Sequence, residues 1–251
     1  MSAISRNRSS LTGGILLILA IIPLFLSETT DFYYVPIYKI ITLFSASAFA
    51  FYLVFKKEME DIKYLLSLSL TIFFFLISEI IFFIYALIEI NYLLILFYVF
   101  SLASYLPVYI LLVRRVRKDE RLISRNIKIF SLFVTVIIVM VMSPFVTSYS
   151  RYLIENKLYM DFIFFLLFLI VDFDILAISV IFIYLNLRVK KTPQLWLTIA
   201  GAWFFILIGD VVKADYYYQG KNITGSLYDL LYSVGYAIFL VGLIIAVMLF
   251  V

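Results

Sequence analysis

Apolar residues in this chain do not alternate with polar ones; they come in long runs closed by short charged or polar turns. The runs lie at about 12–28, 33–55, 64–90, 92–114, 129–148, 160–187, 195–217 and 226–251, and each is long enough to cross a bilayer as a helix. A membrane β-barrel would need segments of about ten residues with in-out alternation. These runs are about twice that length and apolar on both parities. The pattern predicts an all-α, polytopic membrane protein with eight transmembrane helices. No Gly/Ser-rich or Pro-rich linker interrupts the series, and the longest polar stretch is 114–128. Residues 1–251 therefore read as a single integral membrane domain.

Composition narrows the chemistry. Only 14% of residues are charged and 65% are hydrophobic, against about 25% charged in a soluble domain, which excludes a water-soluble globule. Cysteine and histidine are absent. That removes disulfides, thiolate nucleophiles, imidazole bases and the usual zinc and haem ligands. No metal and no cofactor are expected, and any chemistry rests on carboxylates, hydroxyls, lysine or arginine. The richness in Ile, Phe and Tyr without Cys or His suggests a prokaryotic source.

Basic residues set the orientation, because cytoplasmic loops retain them. With the N-terminus inside, fifteen of the twenty basic residues are cytoplasmic: Arg6, Arg8, Lys56, Lys57, Lys63, Arg114, Arg115, Arg117, Lys118, Arg121, Arg125, Lys128, Arg188, Lys190 and Lys191. Arg151, Lys157 and Lys221 fall outside, with Lys39 and Lys213 in the outer parts of their segments. The expectation is a multi-pass cell-membrane protein with both termini in the cytoplasm. Its charge of +4 then reflects topology rather than nucleic-acid binding. The basic stretch 114–128 faces anionic headgroups and is the place where a separate signalling partner would dock. The first segment has the length of a signal peptide, but Ser27-Glu28-Thr29-Thr30 lacks a small-x-small cleavage pattern. Asn222-Ile223-Thr224 matches the glycosylation sequon on the expected outer side.

A duplication underlies the series. At an offset of 131 positions, Phe73-Phe74 pairs with Phe204-Phe205, Glu79 with Asp210, Tyr85 with Tyr216, Asn91 with Asn222 and Tyr105 with Tyr236. At an offset of 132, Ser47 and Tyr52-Leu53 pair with Ser179 and Tyr184-Leu185. Two four-helix repeats are expected, at about 1–118 and 119–251. An even number of crossings per repeat makes them parallel, related by an axis along the membrane normal.

Ionisable groups in hydrocarbon cost roughly 2.5–3.5 kcal/mol each, so those inside the segments need an explanation. Glu79 and Asp210 lie about fifteen residues beyond the inner starts of the third and seventh segments, roughly 22 Å deep, and Asp172 lies about 18 Å from the outer start of the sixth. Lys39 reaches the same layer by snorkelling. Tyr98, Ser101 and Tyr105 share one helix face, and Asp229, Tyr232 and Tyr236 share the corresponding face of the last segment. Asp172, Ser179 and Asn186 form a further stripe, whereas Asp174 points about 200° away from Asp172. Two accounts stay open. Either these groups bond helices to one another, or Glu79, Asp172, Asp210, Lys39, Tyr105, Asp229 and Tyr236 line an outward-opening cavity for a cation, an amine or a lipid headgroup. Tyr216-Tyr217-Tyr218 reads as an interfacial anchor.

The run Gly209-Asp210, Tyr216-Tyr217-Tyr218-Gln219-Gly220, Gly225-Ser226-Leu227-Tyr228-Asp229 and Gly235-Tyr236 resembles the end of the multi-helix membrane sensory regions of prokaryotic signalling proteins. That resemblance covers about forty residues. It implies a ligand- or lipid-binding sensory module. The chain departs from that group in ending at Val251 without a kinase, cyclase or other output domain, so any signal is expected to pass through a separate partner. Gly201-Ala202, Phe205 and Asp210 are also similar to a stretch of the lysoplasmalogenase-like eight-helix membrane family. This second resemblance implies an ether-lipid hydrolase in which Asp210 and Glu79 polarise water; Glu79 stands where that family has Asp. A small-solute or ion transporter is the third reading, so whether the chain is an enzyme stays open.

Because the native chain has no cysteine, orientation is testable with single thiols. A membrane-impermeant maleimide should label Lys157→Cys in intact cells and Arg121→Cys only after permeabilisation. The opposite pattern would invert the topology.

Overall fold

The structure, a computed structural model, describes residues 34–55, 62–118, 123–189, 194–218 and 227–250. These residues form seven helices: α1 (Tyr34–Phe55), α2 (Ile62–Ile88), α3 (Asn91–Lys118), α4 (Arg125–Glu155), α5 (Tyr159–Val189), α6 (Gln194–Tyr218) and α7 (Leu227–Phe250). They match the second to eighth apolar runs. The run at 12–28, the sequon at Asn222 and the side chains of Asn186 and Tyr216-Tyr217-Tyr218 lie outside the described residues. Six helices, α1 to α5 and α7, are long and apolar enough to cross a membrane, so the chain is a multi-pass membrane protein. In hydrocarbon every backbone polar group must be bonded within the segment, which is why each apolar run is helical.

Helices outrun the apolar patterns that reveal them. α3 continues to Lys118, and α4 covers 31 residues from Arg125 to Glu155, where the apolar run spans only 129–148. At about 46 Å, α4 exceeds the roughly 30 Å hydrocarbon core. Its polar ends stay helical because the backbone ladder needs no apolar side chains once nucleated. The stretch 114–128 is therefore largely two helix ends carrying exposed Arg114, Arg117, Arg125 and Lys128. Pro107 and Pro144 lie inside α3 and α4 without ending them, as membrane helices allow. Two short turns close α2 and α4, with Glu89 at φ 53° and Lys157 at φ 59°, the left-handed backbone that commonly terminates helices.

The packing is a closed ring: α1 against α2, α2 against α3, α3 against α5, α5 against α6, α6 against α7, and α7 back against α1. α4 lies outside it against α5 and α6, where Ser131 donates to the Ala177 carbonyl at 2.6 Å. α7 is the most enclosed helix and α4 the least. The ring's core includes Leu43, Leu68, Ile72, Leu111, Ile206 and Leu243.

α6 and α7 approach most closely at glycines, as small residues permit in membranes. A Cβ on Gly235 would stand 3.0 Å from Ile206 and 3.1 Å from the Ala202 carbonyl, and one on Gly242 would collide with Thr198. A Cβ on Gly209 would stand 2.6 Å from the Tyr232 ring, so the absent side chain lets that ring lie across α6. Gly201 has nothing within 4 Å of its Cβ position. Gly242→Val should therefore lower stability by about 1–3 kcal/mol through overpacking, while Gly201→Ala leaves it unchanged or raises it by less than about 1 kcal/mol. Thermal unfolding of the two variants in detergent checks the contrast.

Candidate functional site

Two polar centres sit side by side within the ring. The first is an ion-pair cluster. Lys39, 1% exposed in the second turn of α1, places its ammonium 2.9 Å from Glu79 Oε2 on α2 and 2.8 Å from Asp229 Oδ1 in the first turn of α7. An ammonium has three donors and no acceptor, so one lysine serves both carboxylates. The Tyr236 hydroxyl donates to the other Glu79 oxygen at 2.9 Å. Asp229 also gains from its place at the start of a helix, where the dipole favours negative charge. The Phe82 ring lies 6.0 Å from the lysine nitrogen, close to the limit for cation–π attraction.

The second centre surrounds Asp210 on α6. Tyr105 of α3 donates to its Oδ2 at 3.1 Å, and Tyr232 of α7 donates to its Oδ1. Asp172 of α5 is the electrostatic neighbour of Asp210 and Tyr105. It is 2% exposed, and although Tyr105 and Asp210 stand beside it, neither of its carboxyl oxygens has a partner at hydrogen-bonding geometry. Below it, Ser179 Oγ and Trp203 Nε1 are likewise unpaired and border a void of about 10 Å³, close to the minimum for one water. Lys213, one turn beyond Asp210, has its nitrogen 4.9 Å from the Phe97 ring centroid and 5.9 Å from that of Phe82.

Tyrosine positions are set by ring packing. Phe75 lies 5.8 Å from Tyr105, 5.7 Å from Tyr236 and 5.5 Å from Trp203, and Tyr105 lies 4.7 Å from Trp203. These centroid distances fall in the favourable range for aromatic pairs. The cluster forms a floor from which the two hydroxyls reach their carboxylates. Their bonding is reciprocal between the halves of the chain: Tyr236 bonds Glu79, Tyr105 bonds Asp210, and each pair of like residues differs by 131 in number.

Above the floor is a cavity of about 60 Å³, room for about four ordered waters or one short-chain solute at 10–15 Å³ per water. Glu79, Asp161, Asp172 and Asp210 line it, with Lys213 as the basic group. Its walls carry Tyr98, Tyr149, Phe165, Phe168 and Tyr232, among others. Asp161 is in the first turn of α5, so the cavity extends about 16 Å along that helix to Asp172. It thus spans from the layer of buried acids toward the end of the bundle that carries the α4–α5 turn.

All seven residues singled out from sequence converge. Lys39, Glu79, Asp229 and Tyr236 form the first centre, and Tyr105, Asp210 and Asp172 belong to the second. Asp174 is exposed on the opposite face of α5, as its angular offset requires. Sequence reasoning left out Lys213, Asp161 and Tyr149. Lys213 had a signal, since it follows Asp210 by three residues and shares its face. Asp161 reads as an ordinary acid of a first helical turn, and nothing in the sequence brings Tyr149 of α4 to this place. Among the described residues no group of three or more acids converges in a way that could hold a metal ion.

Comparison of the chain with protein-family models, with curated proteins and with solved structures finds no match in any of the three.

Removing one partner of a buried ion pair strands the others, at about 3–5 kcal/mol. Lys39→Met should therefore lower the melting temperature sharply. The triple variant Lys39→Met, Glu79→Gln, Asp229→Asn should recover most of the loss, because no charge is then left unpaired. A triple variant no more stable than the single one would show that the cluster contributes through packing alone.

Proposed function

We propose that this multi-pass membrane protein is a ligand-binding sensory module whose central cavity takes a small cationic ligand. One observation carries the reading: four carboxylates and one lysine line a largely aromatic cavity inside the bundle. Acid groups supply charge complementarity there, and ring faces attract cations. A low-dielectric surround strengthens both. The bonding within the first centre is compatible with the alternative that these groups only join helices, but Asp172 joins nothing by hydrogen bonds, which favours a ligand at the second.

The ether-lipid hydrolase reading asks Asp210 and Glu79 to polarise a water. Each already accepts tyrosine hydroxyl donors, and Glu79 also holds Lys39, so both carboxylates are engaged as structural acceptors. This supports binding over hydrolysis. The reciprocal tyrosine–acid bonds support a duplicated origin, with the run at 12–28 completing the first four-helix repeat. In this proposal the protein lies in the cell membrane with both termini cytoplasmic. The ligand enters from the α4–α5 end, and the basic ends of α3 and α4 present Arg114, Arg117, Arg125 and Lys128 to a separate signalling protein.

Purified protein in nonionic detergent should be stabilised saturably by small organic cations, and the double variant Asp172→Asn, Asp210→Asn should bind them at least about tenfold more weakly, the loss expected for a charge-assisted contact. In proteoliposomes the same cations should bind without net flux. Gradient-driven uptake would transfer the reading to a transporter, and release of headgroups from ether lysolipids, abolished in Asp210→Asn, would transfer it to a hydrolase.

A further inference from the structure

The interior holds two pairs of carboxylates in different states. Glu79 and Asp229 share one ammonium, that of Lys39, at 2.9 and 2.8 Å. Asp172 and Asp210 are also neighbours; the Lys213 ammonium is an electrostatic partner of Asp210, but Asp172 has no cationic side chain among its electrostatic partners. Each tyrosine hydroxyl has one proton to donate. Tyr105 and Tyr232 direct theirs to Asp210, and Tyr236 directs its own to Glu79. Asp172, 98% buried, is left with two oxygens that accept nothing, and it lines the cavity.

We infer that the Asp172–Asp210 pair is a seat for a primary ammonium group, supplied by a small free amine or by an aminoethyl lipid headgroup. The inference rests on the cation-binding reading and names the chemistry of that ligand. Bare carboxylate oxygens inside a bundle need hydrogen-bond donors as well as positive charge. A quaternary ammonium has the charge but no N–H. A multivalent metal would need more oxygen ligands than the two acids provide, and no three-acid group converges among the described residues. A primary ammonium supplies three donors, and Lys39 shows that this interior accommodates one between two acids. The cavity of about 60 Å³ limits the attached chain to a few heavy atoms, and its aromatic walls receive the methylene groups.

Titration calorimetry on the full chain in nonionic detergent, with ethylammonium, tetramethylammonium and sodium chlorides, tests the assignment. Ethylammonium should bind saturably, and tetramethylammonium at least about tenfold more weakly because it cannot donate. Asp172→Asn should weaken ethylammonium by about tenfold or more and not lower the melting temperature, while Asp172→Glu should keep most of the binding. Ethylammonium binding unchanged in Asp172→Asn, equal or tighter binding of tetramethylammonium, or tighter binding of sodium would each overturn the ammonium seat and leave a cation cavity. Binding of none of the three cations would overturn that broader reading too. If Asp172→Asn melts far below the parent, the ratio of ethylammonium to tetramethylammonium affinity in the parent decides alone. Repeating the titration in phosphatidylethanolamine and in phosphatidylcholine nanodiscs identifies the source. Apparent ethylammonium affinity that falls in the former supports the seat with a lipid headgroup as occupant, and equal affinity supports it with a free amine.

Discussion

One ammonium shared by two carboxylates organises the centre of this bundle. Lys39, Glu79 and Asp229 come from α1, α2 and α7, and each would be costly in hydrocarbon alone. Together they leave no bare charge and tie three helices at one height, with Tyr236 closing the remaining oxygen of Glu79. Without a hydrophobic drive between helices in lipid, such contacts and close packing decide which helices meet. Lys39 and Asp229, 190 positions apart, bond α1 to α7 where the ring closes.

The glycines of α6 and α7 and the aromatic floor then fix the second centre. Gly209 leaves space for the Tyr232 ring, which reaches Asp210, the next residue on α6. Phase along the helix is thereby locked: the residue that admits the ring is adjacent to the one its hydroxyl bonds. Phe75, stacked among Tyr105, Tyr236 and Trp203, holds two further hydroxyls. Three tyrosine donors are thus committed to the two acids by packing within the fold, the kind of preorganisation that lowers the cost of binding at a site.

Much of this was legible in the sequence because lipid solvation imposes simple rules. Apolar runs of about twenty residues give the helices, and the spacing of Tyr98, Ser101 and Tyr105 or of Asp229, Tyr232 and Tyr236 gives the faces that turn inward. Buried acids in such runs are rare enough that Glu79, Asp172 and Asp210 stood out at a common depth. Helix ends were less legible, because the polar continuations of α3 and α4 depend on backbone bonding that hydropathy does not record. Partnering was not legible. That Lys39 meets Asp229, while Asp172 meets no donor, depends on which helices adjoin and how each is rotated. Lys213 reads from sequence as a basic residue in the outer part of its segment, although its place one turn from Asp210 puts the two on one helix face.

The contrast between the two centres explains why the second is the better candidate for function. A bare buried carboxylate lowers the stability of the resting fold, and an amide or an apolar residue at position 172 would relieve that cost. The first centre shows that the same scaffold can satisfy two acids internally when a lysine is supplied. At the second centre the fold provides tyrosine donors to Asp210, an aromatic lining and a cavity beside Asp172, but no protein donor to Asp172 itself. An unsatisfied carboxyl group placed on a cavity wall is what a binding site requires if its ligand is to complete the interior. A ligand that brings its own donors, in place of water in the cavity, regains the free energy of satisfying Asp172, and that is the basis on which such a site would discriminate.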